Sequence, residues 1–253
     1  MKQIFTALIV FSCSYSRAQV FDENYGYVQK QLIKKNKIKL ISGWTFSFSS
    51  TGELVKDGRR SSFEKFDKNG NRTELVYFDA FGNSSYECTY SYDEKGTETT
   101  RISYQTGKCT FSKWSYTYID ETRVVQRKPF KSYSNKEMWE FVFDNNKNCV
   151  EELYYDGDGL FSGKKAFGFD SGNNMSVKKV YDAYGSLLSS CEYIYDNNTK
   201  QNIEQIFYDN AANILYKQIM RYDSKGDLTA KFLVDKDGNT TAITVYLYLF
   251  SEN

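Results

Sequence analysis

The chain has 253 residues, with 33 Lys and Arg against 32 Asp and Glu, a formal net charge of +1. That balance gives no broad electrostatic case for nucleic acid or an anionic membrane as partner. Histidine is absent, which excludes Ser-His-Asp and Cys-His catalysis and the usual zinc-hydrolase ligand sets.

At the N-terminus, Lys2 is a basic flank, Ile4 to Phe11 is a short apolar run, and Ser16-Arg17-Ala18 offers small residues where signal peptidase reads. The run is too short to cross a bilayer as a helix, so no transmembrane span is expected there. Residues 1–18 are expected to be a signal peptide, which makes the protein exported: periplasmic, surface-bound or secreted. A competing reading takes Val10-Phe11-Ser12-Cys13 as a lipobox and places a lipid anchor on Cys13, although Phe11 fits that pattern poorly. Residues 19–36, rich in Lys toward their end, read as a lead-in or linker, and 37–253 as a single β-repeat domain.

Ile38 to Phe48 reads as the first strand, with Ser49-Ser50-Thr51-Gly52 as its turn and Asp57-Gly58 as a further hairpin signal. From Phe66 onward one unit recurs, seen most clearly in Tyr90-Ser91-Tyr92-Asp93-Glu94-Lys95-Gly96. Taking Asp93 as its marker, the equivalents are Asp67, Asp79, Gln105, Ile119, Lys131, Asp144, Asp156, Asp170, Asp182, Asp196, Asp209, Asp223 and Asp235, spaced 12 to 14 residues apart. Asp suits the first corner of a type I turn, and Gly, three residues on at Gly70, Gly82, Gly159, Gly185, Gly226 and Gly238, suits its end. Between the turns lie segments rich in Tyr, Phe, Val, Ile and Thr, which favour strands. The alternating spacing makes the true repeat two strands long, and tight turns make neighbouring strands antiparallel.

Three residues before the marker, one strand class carries Tyr90, Tyr116, Phe141, Phe167, Tyr193 and Met220. The other carries Val76, Ile102, Lys128, Leu153, Lys179, Ile206 and Phe232. In the first class the parity of Tyr86, Cys88, Tyr90 and Tyr92 is expected to face inward. Thr240 to Phe250 is apolar on both parities and reads as a closing strand covered on both faces.

Cys88, Cys109, Cys149 and Cys191 are an even set in an exported chain, which invites disulfides. In a meander, however, Cys88 and Cys109 lie two strands apart, about 9.6 Å, beyond disulfide reach. Cys88 and Cys191 share a register with Trp114 and Trp139, so buried thiols and core indoles are expected, with a bridge between coiled strands as the alternative. Asp156-Gly157-Asp158-Gly159 and Asp235-Lys236-Asp237-Gly238 resemble calcium loops but lack the closing Glu. No residue stands out as catalytic, cofactor-binding or metal-ligating.

Tyr90 to Gly96, Phe141-Val142-Phe143-Asp144, Tyr193-Ile194-Tyr195-Asp196 and Met220 to Gly226 resemble the YD repeat of RHS-type proteins, Tyr-x-Tyr-Asp-x-x-Gly, over roughly Trp44 to Asn239. The resemblance implies strands coiling into a spiral sheet and links the chain to carbohydrate binding and cell-surface contact. The segment ending Ala18-Gln19 resembles exported proteins of Bacteroidota.

The fold expected is therefore all-β, an antiparallel meander of about 14–15 strands in a coiled or spiral sheet, since so many strands coil, close or split into layers. The function expected is a non-enzymatic exported binding or interaction module, with a glycan or another surface protein as partner and no nucleic acid. The alternatives are a glycan-active enzyme using paired carboxylates, or a shell or accessory protein for another exported protein.

Overall fold

The computed structural model describes residues 30–250 apart from 50, 95–97, 107–109, 119–123, 130–137, 145 and 147, and for 110–118 and 124–129 it defines the backbone strands alone. The expected signal peptide, Cys13 and Cys109 lie outside the described residues.

Sixteen strands run through the described residues in chain order. They are β1 (Ile38–Ser47), β2 (Arg59–Phe66), β3 (Arg72–Phe78), β4 (Ser84–Tyr92), β5 (Glu98–Gln105), β6 (Thr110–Tyr118), β7 (Val124–Pro129) and β8 (Met138–Phe143). They continue as β9 (Cys149–Tyr155), β10 (Phe161–Phe169), β11 (Met175–Asp182), β12 (Leu187–Tyr195), β13 (Asn202–Asp209), β14 (Ile214–Tyr222), β15 (Leu228–Asp235) and β16 (Thr240–Phe250). Each pairs antiparallel with its neighbours in sequence, and β1 pairs with β16, so the meander closes into a barrel. The all-β antiparallel meander is as the sequence predicts. Two details are corrected: the strands number sixteen, and they close on themselves in one circuit instead of spiralling. Closure leaves no unpaired edge along the array, which a long open sheet would expose.

The turns follow from the marker residues. Asp67, Asp79, Asp144, Asp156, Asp170, Asp182, Asp209, Asp223 and Asp235 each accept two main-chain N–H groups on Oδ1, from residues two and four further on; at Asp209 both are 2.9 Å. The third residue after most markers has positive φ. This is a type I turn followed by a left-handed residue and a one-residue bulge. A strand register shift accompanies it, as between Ser91 and Tyr92.

That bulge sets which side chains face inward. In even-numbered strands Cys88, Tyr90 and Tyr92 share the inner face, as the sequence predicts. In odd-numbered strands the bulge shifts the phase by one residue, so the inner residue lies four before the marker, not three. Tyr90 therefore faces Arg101, Phe141 faces Glu152, Phe167 faces Lys178, Tyr193 faces Gln205 and Met220 faces Lys231. Val76 and Ile206, three before their markers, belong to the outer parity.

A sixteen-stranded barrel at ordinary spacing and tilt has a backbone radius of about 16 Å, wider than side chains fill. The apolar residues accordingly form separate clusters: Leu75, Cys88 and Tyr90; Trp139, Phe141 and Cys149; and Ile33, Ile38 and Ile41 with Tyr246 and Tyr248. Cys88, Cys149 and Cys191 are free thiols, all buried, and Trp139 is buried as expected. β16 departs from expectation. Its inner residues pack against the seam with β1, but Leu247 and Leu249 on the outer parity are exposed.

Candidate functional site: the two ends of the barrel and its inner ring

The same turn chemistry builds two different ends. One end carries the turns β2–β3, β4–β5, β8–β9, β10–β11, β12–β13 and β14–β15, together with a short helical segment, residues 30–35. Ile33 of that segment packs on Ile38, Ile41, Tyr246 and Tyr248. The Lys30 carbonyl comes so close to Gly70 that a Cβ there would sit 2.4 Å from it, and Gly70 has φ +79°. Asn36 donates to Asp227 Oδ1 at 2.8 Å, and Gln201 Nε2 to the Gly226 carbonyl at 3.2 Å. Asn148 likewise joins its turn to Asn173 of the next, 2.5 Å away. Asn71, Asn148, Asn202 and Asp227 are buried at this capped end.

Tyrosines strengthen the same end. Tyr92 donates its hydroxyl to the Arg72 carbonyl at 2.7 Å, Tyr222 to that of Asn202 at 2.8 Å, and Tyr248 to that of Leu228 at 2.5 Å. Each ties the mouth of a hairpin whose turn is at the opposite end. The tyrosine just before the marker thus has a structural job, which explains its recurrence.

The opposite, free end carries the β1–β2 connection and the turns β3–β4, β9–β10, β11–β12, β13–β14 and β15–β16. Here the residue before the marker points outward instead, as with Phe78, Tyr155, Tyr181 and Tyr208. Beyond this girdle Phe81 and Tyr184 stand at turn tips, where Asp158, Ala211 and Asp237 occupy the equivalent places in the other turns. Phe81 is 88% exposed, Tyr184 94% and Leu160 65%, with Leu54, Leu188 and Leu215 beside them. Of the fourteen large exposed hydrophobic residues among the described set, ten belong to this end; Ile194, Leu247, Leu249 and Phe250 are the others. Turn chemistry does not require these side chains, because the capped-end counterparts of Phe81 and Tyr184 are Asn69, Asn146, Gly172, Asn198 and Lys225.

The inner ring holds the buried charges. Arg101 is 2% exposed, 3.5 Å from Glu98, and stacks over Tyr90 at 4.8 Å. Arg72 lies 3.0 Å from Glu64. Glu152, also 2% exposed, meets Lys165 at 2.9 Å, and Lys165 stands over Trp139. Burial holds the Lys178 ammonium below its usual pKa. Burial also pushes the Cys191 thiol up to about 12, which leaves it an unreactive neutral group. The sequence pattern did contain this row, as Arg101, Glu152, Lys178, Gln205 and Lys231 recur four before their markers. Trp114 and Arg127 fall on strands whose side chains are not described. No group of three or more potential metal-ligating residues is present among the described residues, including at the two calcium-like loops.

What the fold and its surfaces define is a closed antiparallel barrel with one capped end and one apolar rim. No family model matches the chain, and no curated protein matches it either. Among solved structures it is similar to a porin-like protein from Bacteroides uniformis, with 8% identity over 84% of this chain and 98% of that one, TM-score 0.36. A porin-like protein from Bacteroides vulgatus gives 10% identity over 81% and 97%, TM-score 0.36. A DUF1329 family protein from Desulfovibrio piger gives 9% over 89% and 91%, TM-score 0.34. The resemblance to the RHS-type YD repeat is therefore corrected: no family model matches, and the similar structures named above are porin-like and DUF1329 proteins. Tyr-x-Tyr-Asp-x-x-Gly is accounted for by local physics, since Asp and Gly build the turn and the last Tyr ties the hairpin mouth.

Proposed function

We propose that the protein is an exported, non-enzymatic interaction module that engages its partner through the apolar rim at the free end. The observation that carries this reading is the segregation of Phe81, Leu160, Tyr184, Leu188 and Leu215 to one end of the barrel, at positions where the fold makes no use of them. Leu160, Tyr184, Leu188 and Leu215 fall on three successive turns of the free end, and exposed apolar surface gathered in this way marks interaction sites. The buried carboxylates support a role without turnover, because Glu64, Glu98 and Glu152 are each engaged by a cation in the wall. Export rests on the signal-like residues 1–18.

The outer wall favours water over lipid around the barrel. No helix among the described residues is long and apolar enough to cross a membrane; the strands need separate consideration. Their outer faces carry the ion pairs Lys65–Glu74, Lys164–Glu151 and Lys217–Glu204. Lys or Arg on the lipid face of a barrel costs about 2–4 kcal/mol each near the midplane.

The test is site-specific photo-crosslinking of the full chain in the producing cell. A photoreactive residue replaces Phe81 or Tyr184 at the rim, or Asn69 or Ser171 at the capped end. Adducts are expected from the rim positions and not from the capped end. Equal or absent labelling at the rim would overturn the reading.

A further inference from the structure

We infer that the occupant of the rim is a polypeptide whose docking face sets lysines or arginines around an apolar centre; this rests on the rim being the contact surface. The argument is charge. Around the apolar tips the described residues of the free end carry Glu53, Asp57, Asp79, Asp156, Asp158, Asp182, Asp209, Asp235 and Asp237, against Lys56, Arg59 and Lys236. Nine carboxylates face three cations. Hydrogen bonds favour the charged form at two markers: main-chain N–H bonds from Asn239 and its neighbours hold Asp235 below the usual range. The Asn213 side chain and then its N–H do the same for Asp209.

Three occupants can be compared on that field. An anionic bilayer meets repulsion from these carboxylates together. A second copy docked rim to rim sets nine carboxylates against nine, and like charges juxtaposed across an interface cost several kcal/mol. A second copy docked head to tail would offer Lys34, Lys35, Lys37, Lys68, Lys200 and Lys225 of the capped end, all exposed. Those lysines are interleaved with Asp67, Asp93, Glu94, Asp144, Asp170, Asp196 and Asp223 of the same end, so its field is balanced instead of basic, and its exposed apolar side chains, Ile194, Leu247, Leu249 and Phe250, lie on β12 and β16 and not at the turn tips. A partner that matches the rim must bring both features on one face. The rim's geometry adds a size: tips on a barrel of about 16 Å radius span roughly 30 Å, the width of an ordinary protein interface.

The crosslinked adducts of Phe81 and Tyr184 decide the matter. One polypeptide is expected at both positions, with its linked peptide rich in Lys or Arg beside apolar residues. In the purified pair, affinity should fall as salt rises. Asp158→Lys with Asp237→Lys should weaken it by about tenfold or more, with the melting temperature unchanged, since neither residue is a turn marker. Adducts to lipid, to glycan or to a second copy would overturn the inference while leaving the rim as the contact surface. So would a polypeptide whose binding is indifferent to salt and to the two Lys substitutions. Absence of rim adducts would overturn both.

Discussion

The hydroxyl of Tyr222 donates to the main-chain carbonyl of Asn202 across 2.8 Å, joining the last residue of β14 to the first of β13. These two strands are linked by a turn only at the free end, so the bond holds their other ends together. Tyr92 and Arg72 repeat the arrangement on β4 and β3. Tyr222→Phe should lower stability by about 0.5–1.5 kcal/mol, the usual cost of losing one such hydrogen bond. Tyr92→Phe should behave alike, and amide exchange should quicken first at the capped end of the affected hairpin. Unchanged protection there would show that the hydroxyl does not tie the strands.

Glu152 and Lys165 face each other inside the wall, with 2% and 14% of their side chains exposed. Removing one partner strands the other charge. Glu152→Ala should therefore cost about 3–5 kcal/mol, whereas the double replacement Glu152→Met with Lys165→Met should cost much less or nothing. Denaturant unfolding of the four-member cycle measures this. Additive single effects would mean that the two charges do not interact.

Tyr77, Tyr86, Tyr90, Tyr92, Tyr216 and Tyr248 all have pKa values raised above the ordinary 10.0, with burial as the leading cause in each. In the unfolded chain these phenols ionise near pH 10, while the folded state keeps them protonated. The stability they contribute is present below about pH 10 and is lost as pH rises further. Unfolding in alkali should coincide with a cooperative rise in phenolate absorbance. Tyr216→Phe should flatten the dependence, since it deletes one titrating group. A gradual phenolate titration ahead of unfolding would contradict the burial of these rings.

Ala212 has φ +63° at the turn position where its counterparts are Gly82, Gly185 and Gly238. A left-handed conformation costs a residue with a Cβ about 1–2 kcal/mol. Ala212→Gly is expected to stabilise the protein by about 0.5–1 kcal/mol once the extra freedom of the unfolded chain is subtracted. Asn173→Gly at the equivalent site should instead destabilise, because Asn tolerates this region and the substitution removes the acceptor of the buried Asn148 amide. Thermal melts of the two variants provide the check.

Much of the wall was legible from spacing alone. Asp79, Asp182 and Asp235 recur at turn intervals, and Cys88, Tyr90 and Tyr92 alternate with Glu87, Thr89 and Ser91. The charged inner row was written in the same periodicity, but reading it needs the phase shift that each bulge introduces, and that shift is a property of hydrogen bonding. Closure was one of three outcomes the strand count allowed, but its seam was not readable. Thr45 and Thr244 share a hydroxyl hydrogen bond across 199 residues of sequence, and no local pattern encodes a separation of that kind. For the rim, Phe81 and Tyr184 are conspicuous at turn tips, yet only the alternation of up and down strands gathers them at one end.

The seam between β1 and β16 also has a consequence for assembly. The first strand finds one of its two partners only when the last has been made and delivered. Until then the chain is an unfinished circle with two free edges, exposed to other chains and to proteases. Residues cannot be trimmed from the C-terminal strand, nor one two-strand unit deleted, without breaking or resizing the whole ring. Each ring is thus proofread for its complete set of strands by its own geometry, and a product that lacks one is marked by the edge it cannot hide.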